Sequence, residues 1–196
     1  MLLMTEGFQR RRRGGVVATF SGFEADLMRS LASQLVELLR NERATPNEED
    51  PLEQMLDFSG PTTAPDDPVL ARLFPTAYTN DEEAAAEFRR YTEAGLRDGK
   101  AAGAASVIDT LEEAGLPTEL TEEGLVIDVE VDQATAETWL RTFTDLRLAL
   151  ATRLGVEAGD EDYWLALSDE DPRAQAYDIY HWLGLLQETL VEALSG

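Results

Sequence analysis

The stretch Leu125-Val126-Ile127-Asp128-Val129-Glu130-Val131-Asp132 decides the fold class. Leu125, Ile127, Val129 and Val131 alternate with Val126, Asp128 and Glu130, the period of two that marks a strand with one buried face. The period then changes within one residue. Asp132 can cap a helix, along which Ala136, Trp139, Phe143, Leu146 and Leu150 recur at spacings of three and four, to about Leu154 and a stop at Gly155.

The sheet needs further strands, and the N-terminus supplies them. Phe8–Arg13 and Val16–Phe20 flank Gly14-Gly15, a two-residue hairpin signal because glycine tolerates the positive φ of such turns. Four consecutive arginines, Arg10, Arg11, Arg12 and Arg13, interrupt the alternation there. Two readings stay open for them: a solvated end that blunts an edge strand, or a basic site for an acidic partner surface or phosphate.

Helices fill the rest. Ser21 with Glu24 forms a capping box, and Leu27, Leu31, Leu35 and Leu38, beside Met28 and Leu39, carry a helix through about Arg43. Residues 44–68 hold five of the eight prolines together with several acids. They read as a mobile acidic linker with a short helix at Leu52–Phe58. Val69–Phe74 makes one or two helical turns before Pro75. Thr79 and Glu82 suggest a second capping box, opening a helix to Ala114 with Gly115 as its stop. Its apolar contacts are expected from Phe88, Tyr91, Leu96, Val107, Ile108 and Leu111. Gly95, Gly99 and Gly103 interrupt it every four residues, pointing to a kink or to close packing by a neighbouring helix rather than a binding groove. Gly159–Ser168 reads as an acidic loop. Asp171-Pro172 then opens a last helix lined by Ile179, Leu183, Leu186 and Leu190, with Trp182 alongside. The expectation is a mainly α (α+β) fold over 1–196 as a single domain. It is a bundle of about four main helices with a small antiparallel sheet, the N-terminal hairpin plus strand 125–131.

Composition bounds the chemistry. The 196 residues include no cysteine and one histidine, which removes disulfides, thiol catalysis and most zinc and triad chemistry. Thirty-nine acids against 16 bases give a net charge of −23, so phosphate-driven nucleic-acid binding and adhesion to anionic membrane are both disfavoured. No apolar run approaches the roughly 18 residues of a membrane span, and Met1–Met4 is too short for a signal-peptide core. A cytoplasmic, soluble protein is expected. Ten acids and no base lie between Lys100 and Arg141, and seven acids lie within 157–171. These runs read as solvated surface, or as an acidic face for a basic partner.

Candidate sites are few. Asp178 and His181 have the spacing of half a carboxylate-bridged metal site, but no second histidine exists to complete it. Asp160-Glu161-Asp162 lacks the glycine and closing glutamate of a calcium loop. Phosphate-binding and nucleophile-elbow motifs are absent. No catalytic residue, metal ligand or cofactor is therefore assigned. Among the bases, Arg97 and Lys100 join Arg10–Arg13 as candidate partner-binding residues. Arg147, beside the core stripe of its helix, is read as a structural ion pair.

The chain also resembles a known family. The residues that carry the resemblance are Glu24-Ala25-Asp26-Leu27 through Leu39, and Asp67-Pro68 with Arg72-Leu73-Phe74-Pro75. It continues in Phe88-Arg89-Arg90-Tyr91 with Leu96-Arg97-Asp98-Gly99-Lys100, in Trp139 with Asp145-Leu146-Arg147-Leu148-Ala149-Leu150, and in Tyr177-Asp178-Ile179-Tyr180. Together these resemble the actinobacterial proteins long known as a domain of unknown function, a family now named after the actinomycete oxidative stress regulator. The resemblance implies a non-enzymatic cytoplasmic regulator that joins a transcription complex through an alternative sigma factor. It also implies sensing through an intramolecular disulfide, which a chain without cysteine cannot make. Two alternatives stand beside it: an enzyme or binding protein that uses the acidic surface for a small ligand, and, less favoured by charge, a direct DNA-binding protein.

Overall fold

A computed structural model describes residues 6–41, 61–120, 124–168 and 170–196. The expected helix at Leu52–Phe58 and most of the acidic linker lie outside the described residues. In chain order the elements are β1 (Gln9–Arg10), β2 (Val16–Ser21), α1 (Gly22–Asn41), α2 (Pro68–Leu73) and α3 (Glu82–Glu113). They continue with β3 (Val126–Val131), α4 (Gln133–Leu154), α5 (Glu161–Leu165) and α6 (Pro172–Ser195). The fold is mainly α with one small antiparallel sheet, in the order β1-β2-β3.

β2 is the centre of the sheet, with Val16 opposite Val131 and Ser21 opposite Val126. Val16, Ala18, Phe20, Ile127, Val129 and Val131 face inward, as the alternation predicts. Beneath them sits an aromatic cluster. Phe8 meets Trp139 edge-on at 5.8 Å between centroids, Phe20 stacks on Trp139 at 6.3 Å, and Phe143 closes against Trp139 at 5.8 Å. Such pairs add to the burial of their large apolar area. The helices complete one hydrophobic core: α1 lies along α3, α4 lies against α6, and α2 sits on α4.

The helix starts follow local chemistry. Ser21 and Glu24 make the reciprocal box: the Ser21 amide and hydroxyl donate to Glu24 Oε2 at 2.9 and 2.8 Å, while the Glu24 amide donates to Ser21 Oγ at 3.3 Å. Asp132 accepts from the Thr135 amide, and Asp67 accepts from the Val69 and Leu70 amides with Pro68 in the first turn. Asp171 accepts from the Arg173 amide. Gly155 ends α4 in the left-handed region at φ 76°.

Three local expectations fail. The hairpin is not closed by a two-residue turn: Arg10 pairs with Val16, and the Arg11 amide donates to Gly15 O, so Arg11–Gly15 form the loop. Arg11, Arg12 and Arg13 therefore sit in the turn and not in a strand. The cap of α3 is Asp81, which accepts from the Ala84 amide, in place of Thr79. The acidic loop at Gly159–Ser168 contains the short helix α5, whose Trp164 is buried. Among the described residues no helix is long and apolar enough to cross a membrane.

Candidate functional site

The N-terminal half of α3 is turned the opposite way from what its apolar residues suggest, while Val107 and Leu111 in its second half are buried and Ile108 packs on the core, as expected. Phe88, Tyr91 and Leu96 are 44%, 64% and 50% exposed, whereas Arg89, Glu93 and Arg97 are 7%, 2% and 7% exposed. Buried charges persist only when paired and hydrogen-bonded, and these are. Arg89 Nη1 donates to Glu93 Oε2 at 2.7 Å, and Arg97 Nε and Nη2 donate to Glu93 Oε1 at 2.9 and 2.8 Å. Main-chain carbonyls take further bonds: both Arg89 Nη atoms bond Phe74 O, and Arg97 Nη1 bonds Leu39 O. Leu39 lies in the last turn of α1, and Phe74 caps the C-terminus of α2. Carbonyls at helix C-termini lack intrahelical partners and carry partial negative charge, so guanidinium suits them. The Arg97 guanidinium also lies 4.8 Å from the Phe74 ring centroid. The network thus pins two helix ends to α3. Arg97, expected at a partner surface, is a structural residue.

Outside this buried face, α3 presents aromatic and acidic residues. Tyr78, in the preceding loop, is 49% exposed and packs edge-on against Phe88 at 6.0 Å. Glu82, Glu83, Glu87 and Asp98 are exposed on the same helix.

Beside this surface, α3 and α4 frame a groove of about 660 Å³ lined by Gly95, Leu96, Gly99, Gly103, Thr138 and Arg141 among others. Lys100, the second α3 base expected at a partner surface, donates to Asp145 Oδ1 at 2.6 Å in this groove. Burial pushes the Asp145 carboxyl above its usual range, and the bond and charge of Lys100 pull the other way. The glycine row resolves into two kinds. A Cβ at Gly103 would lie 3.3 Å from Thr142 Oγ1, the expected close packing of α4. At Gly95 and Gly99 a Cβ would meet nothing within 4 Å. The helix is continuous through all three, so among the described residues these two glycines serve neither a break nor an internal contact, and they line the groove that the sequence disfavours.

The other candidates lie elsewhere. Arg10 ends β1, and Arg11 bonds Glu130 at 2.8 Å across the sheet, while Arg12 and Arg13 are exposed in the loop. Arg147 finds neutral partners in place of the expected carboxylate: Nη1 donates to Gln187 Oε1 at 2.8 Å and Nη2 to the Tyr180 hydroxyl at 3.3 Å. Its guanidinium sits 4.8 Å from the Tyr180 ring centroid and 3.4 Å from where a Gly184 Cβ would stand. Tyr180 belongs to a stack with Tyr177 and Trp164, and His181 meets Tyr177 edge-on at 4.8 Å. Asp178 and His181 are exposed on α6. No group of three or more histidine or acidic side chains among the described residues could hold a metal ion.

The similarity to known proteins spans most of the chain rather than one motif. No solved structure matches the chain. A Mycobacterium leprae (strain TN) protein that carries the AosR name is 33% identical over 185 residues, covering 87% of this chain and 78% of its own. The proteins named oxidative stress regulator AosR in Mycobacterium bovis and Mycobacterium tuberculosis (strain H37Rv) are each 30% identical over 187 residues, covering 88% of this chain and 79% of theirs. The family described as Domain of unknown function (DUF2017) matches residues 5–194, from before β1 to the last turn of α6. The sheet, the inverted third helix and the groove all lie inside that span, and the chain belongs to the DUF2017 family.

Proposed function

We propose that this protein is a non-enzymatic cytoplasmic regulator that works by joining a transcription complex, with a sigma factor or RNA polymerase as its protein partner. The observation that carries the reading is the sorting of α3: arginines and a glutamate inside, Phe88, Tyr91 and Leu96 outside. Contiguous exposed apolar side chains mark interaction surfaces more often than they mark chance. The names of the mycobacterial relatives support a regulatory role, since the similarity runs through most of both chains. The net charge of −23 favours a protein partner over direct contact with nucleic-acid phosphates. Any response to oxidant would run without a thiol, because the chain has no cysteine. The test is capture by the tagged full chain from host-cell lysate, with and without peroxide. Recovery of RNA polymerase or a sigma factor is expected. Turnover of a metabolite panel by the purified chain, with neither protein recovered, would overturn the proposal.

A further inference from the structure

Resting on that reading, we propose that the exposed face of α3 and the adjoining α3/α4 groove dock one amphipathic helix of the partner, its apolar ridge flanked by lysine and arginine. Three features of the face specify this occupant. Phe88, Tyr91 and Leu96, with Tyr78 set against Phe88, give an apolar strip. Next to it, Gly95 and Gly99 are bare: each destabilises a helix relative to alanine, and neither relieves a contact with any of the described residues. An approaching helix backbone would fill the space they leave open. The third feature is charge. Arg89 and Arg97 point inward and Lys100 is held by Asp145, whereas Glu82, Glu83 and Glu87 are exposed; Arg141, on the α4 side of the groove, lies 3.6 Å from Glu137. An apolar strip with exposed carboxylates beside it complements basic flanks. A second copy, also carrying −23, would meet like charge across the same face.

The test uses the purified full chain and fluorescent peptides. Each is about 18 residues long, matching the span from Phe88 to Ser106 at ~1.5 Å per residue. One peptide places leucine at helical spacing among lysine and arginine. A second keeps the leucines but carries glutamate in place of the bases. A third keeps the bases and replaces leucine with serine. The first should bind about tenfold or more tighter than either control. Tyr91→Ser with Leu96→Ser should weaken it by about tenfold or more, and so should Gly99→Leu. Those side chains are exposed and the Gly99 site is open, so thermal melts of these variants should show an intact fold. Arg12→Gln with Arg13→Gln should leave binding unchanged.

Absent binding, equal binding by parent and α3 variants, or preference for the acidic peptide would each overturn the proposal. So would dimers in sedimentation that the α3 variants abolish, which would assign the face to a second copy. Lysate capture with the same variants separates the two claims. A transcription component held equally by parent and variants removes the docking face but leaves the regulatory reading. Peptide binding on α3 with no transcription component captured does the reverse.

Discussion

Glu93 is the side chain on which the interior of α3 depends, and Glu93→Ala tests that directly. The change removes one carboxylate that accepts three charge-assisted bonds, at 2.7, 2.9 and 2.8 Å, from two guanidinium groups 7% exposed. Breaking a buried pair by deleting one partner costs about 3–5 kcal/mol, because the remaining charge stays buried without compensation. Here two such charges remain, Arg89 with the Phe74 carbonyl and Arg97 with the Leu39 carbonyl and the Phe74 ring, so the upper part of that range is expected. For a chain of this length each kcal/mol moves Tm by roughly 2–4 °C, so a loss of about 4–5 kcal/mol should lower the melting point by about 8–20 °C. Urea denaturation and thermal melts followed by circular dichroism would measure the difference. It should survive about 1 M salt, since buried pairs are screened far less than exposed ones. Arg89→Met, Glu93→Leu and Arg97→Met together should recover much of the loss, because an apolar replacement strands no charge. A Glu93→Ala protein within about 1 kcal/mol of the parent would refute the account of the network.

Three further outcomes follow from the geometry. Asp145 is held above its ordinary value of 3.8 by burial, with Lys100 opposing, so Lys100→Met should raise it further. A carboxyl with a folded pKa above its unfolded one binds more protons when folded, so the variant should approach the parent in acid. It should fall behind as pH climbs through the raised value; parallel stability curves in urea across pH would refute this. Arg147→Ala loses bonds to Gln187 and Tyr180 and the stacking on the Tyr180 ring, at about 1–2 kcal/mol. Arg147→Lys should not restore it, because an ammonium cannot reproduce the planar fork; a parental melting curve for either variant would count against a structural role. Finally, melting after diamide and after dithiothreitol should coincide, since no thiol is present to respond. A reversible shift between the two would reveal a sensor of another kind.

The legible parts of this fold are those where one face meets apolar core. β3 and α4 could be read because Ile127, Val129 and Val131, then Ala136, Trp139 and Phe143, repeat at the period of their element. The Ser21/Glu24 box was legible because its chemistry is local. α3 was misread because residue type and burial part company there. Arg89, Glu93 and Arg97 at four-residue spacing look the same in sequence as a ladder of surface ion pairs. The overlooked signal was phase: Arg89, Glu93, Arg97, Ala101, Ala104, Val107 and Leu111 form one unbroken buried stripe. Phe88 and Tyr91 fall off that stripe. The groove and the Lys100–Asp145 contact depend on how α3 and α4 cross, which no local pattern encodes. The hairpin loop was missed because Gly14 and Gly15, both at positive φ, end the turn instead of forming it alone.

The pairing of β2 with β3 also sets an order of events in time. Thr19 bonds Asp128 across 109 residues of chain, so the central strand waits for a partner made long after it. On a ribosome adding about 5–20 residues per second, Val16, Ala18 and Phe20 wait roughly 5–20 seconds for their partners in β3, with only the short β1 beside them. During that interval α1 can form through its own capping box, but the aromatic cluster cannot, because Trp139 and Phe143 come later still. Refolding of the whole chain carries the matching closure cost, which grows only logarithmically with separation yet falls entirely before the sheet exists. The sheet can therefore close only once the residues of α1, α2 and α3 have been made, and until then the inward face of β2 is the part a chaperone would have to shield.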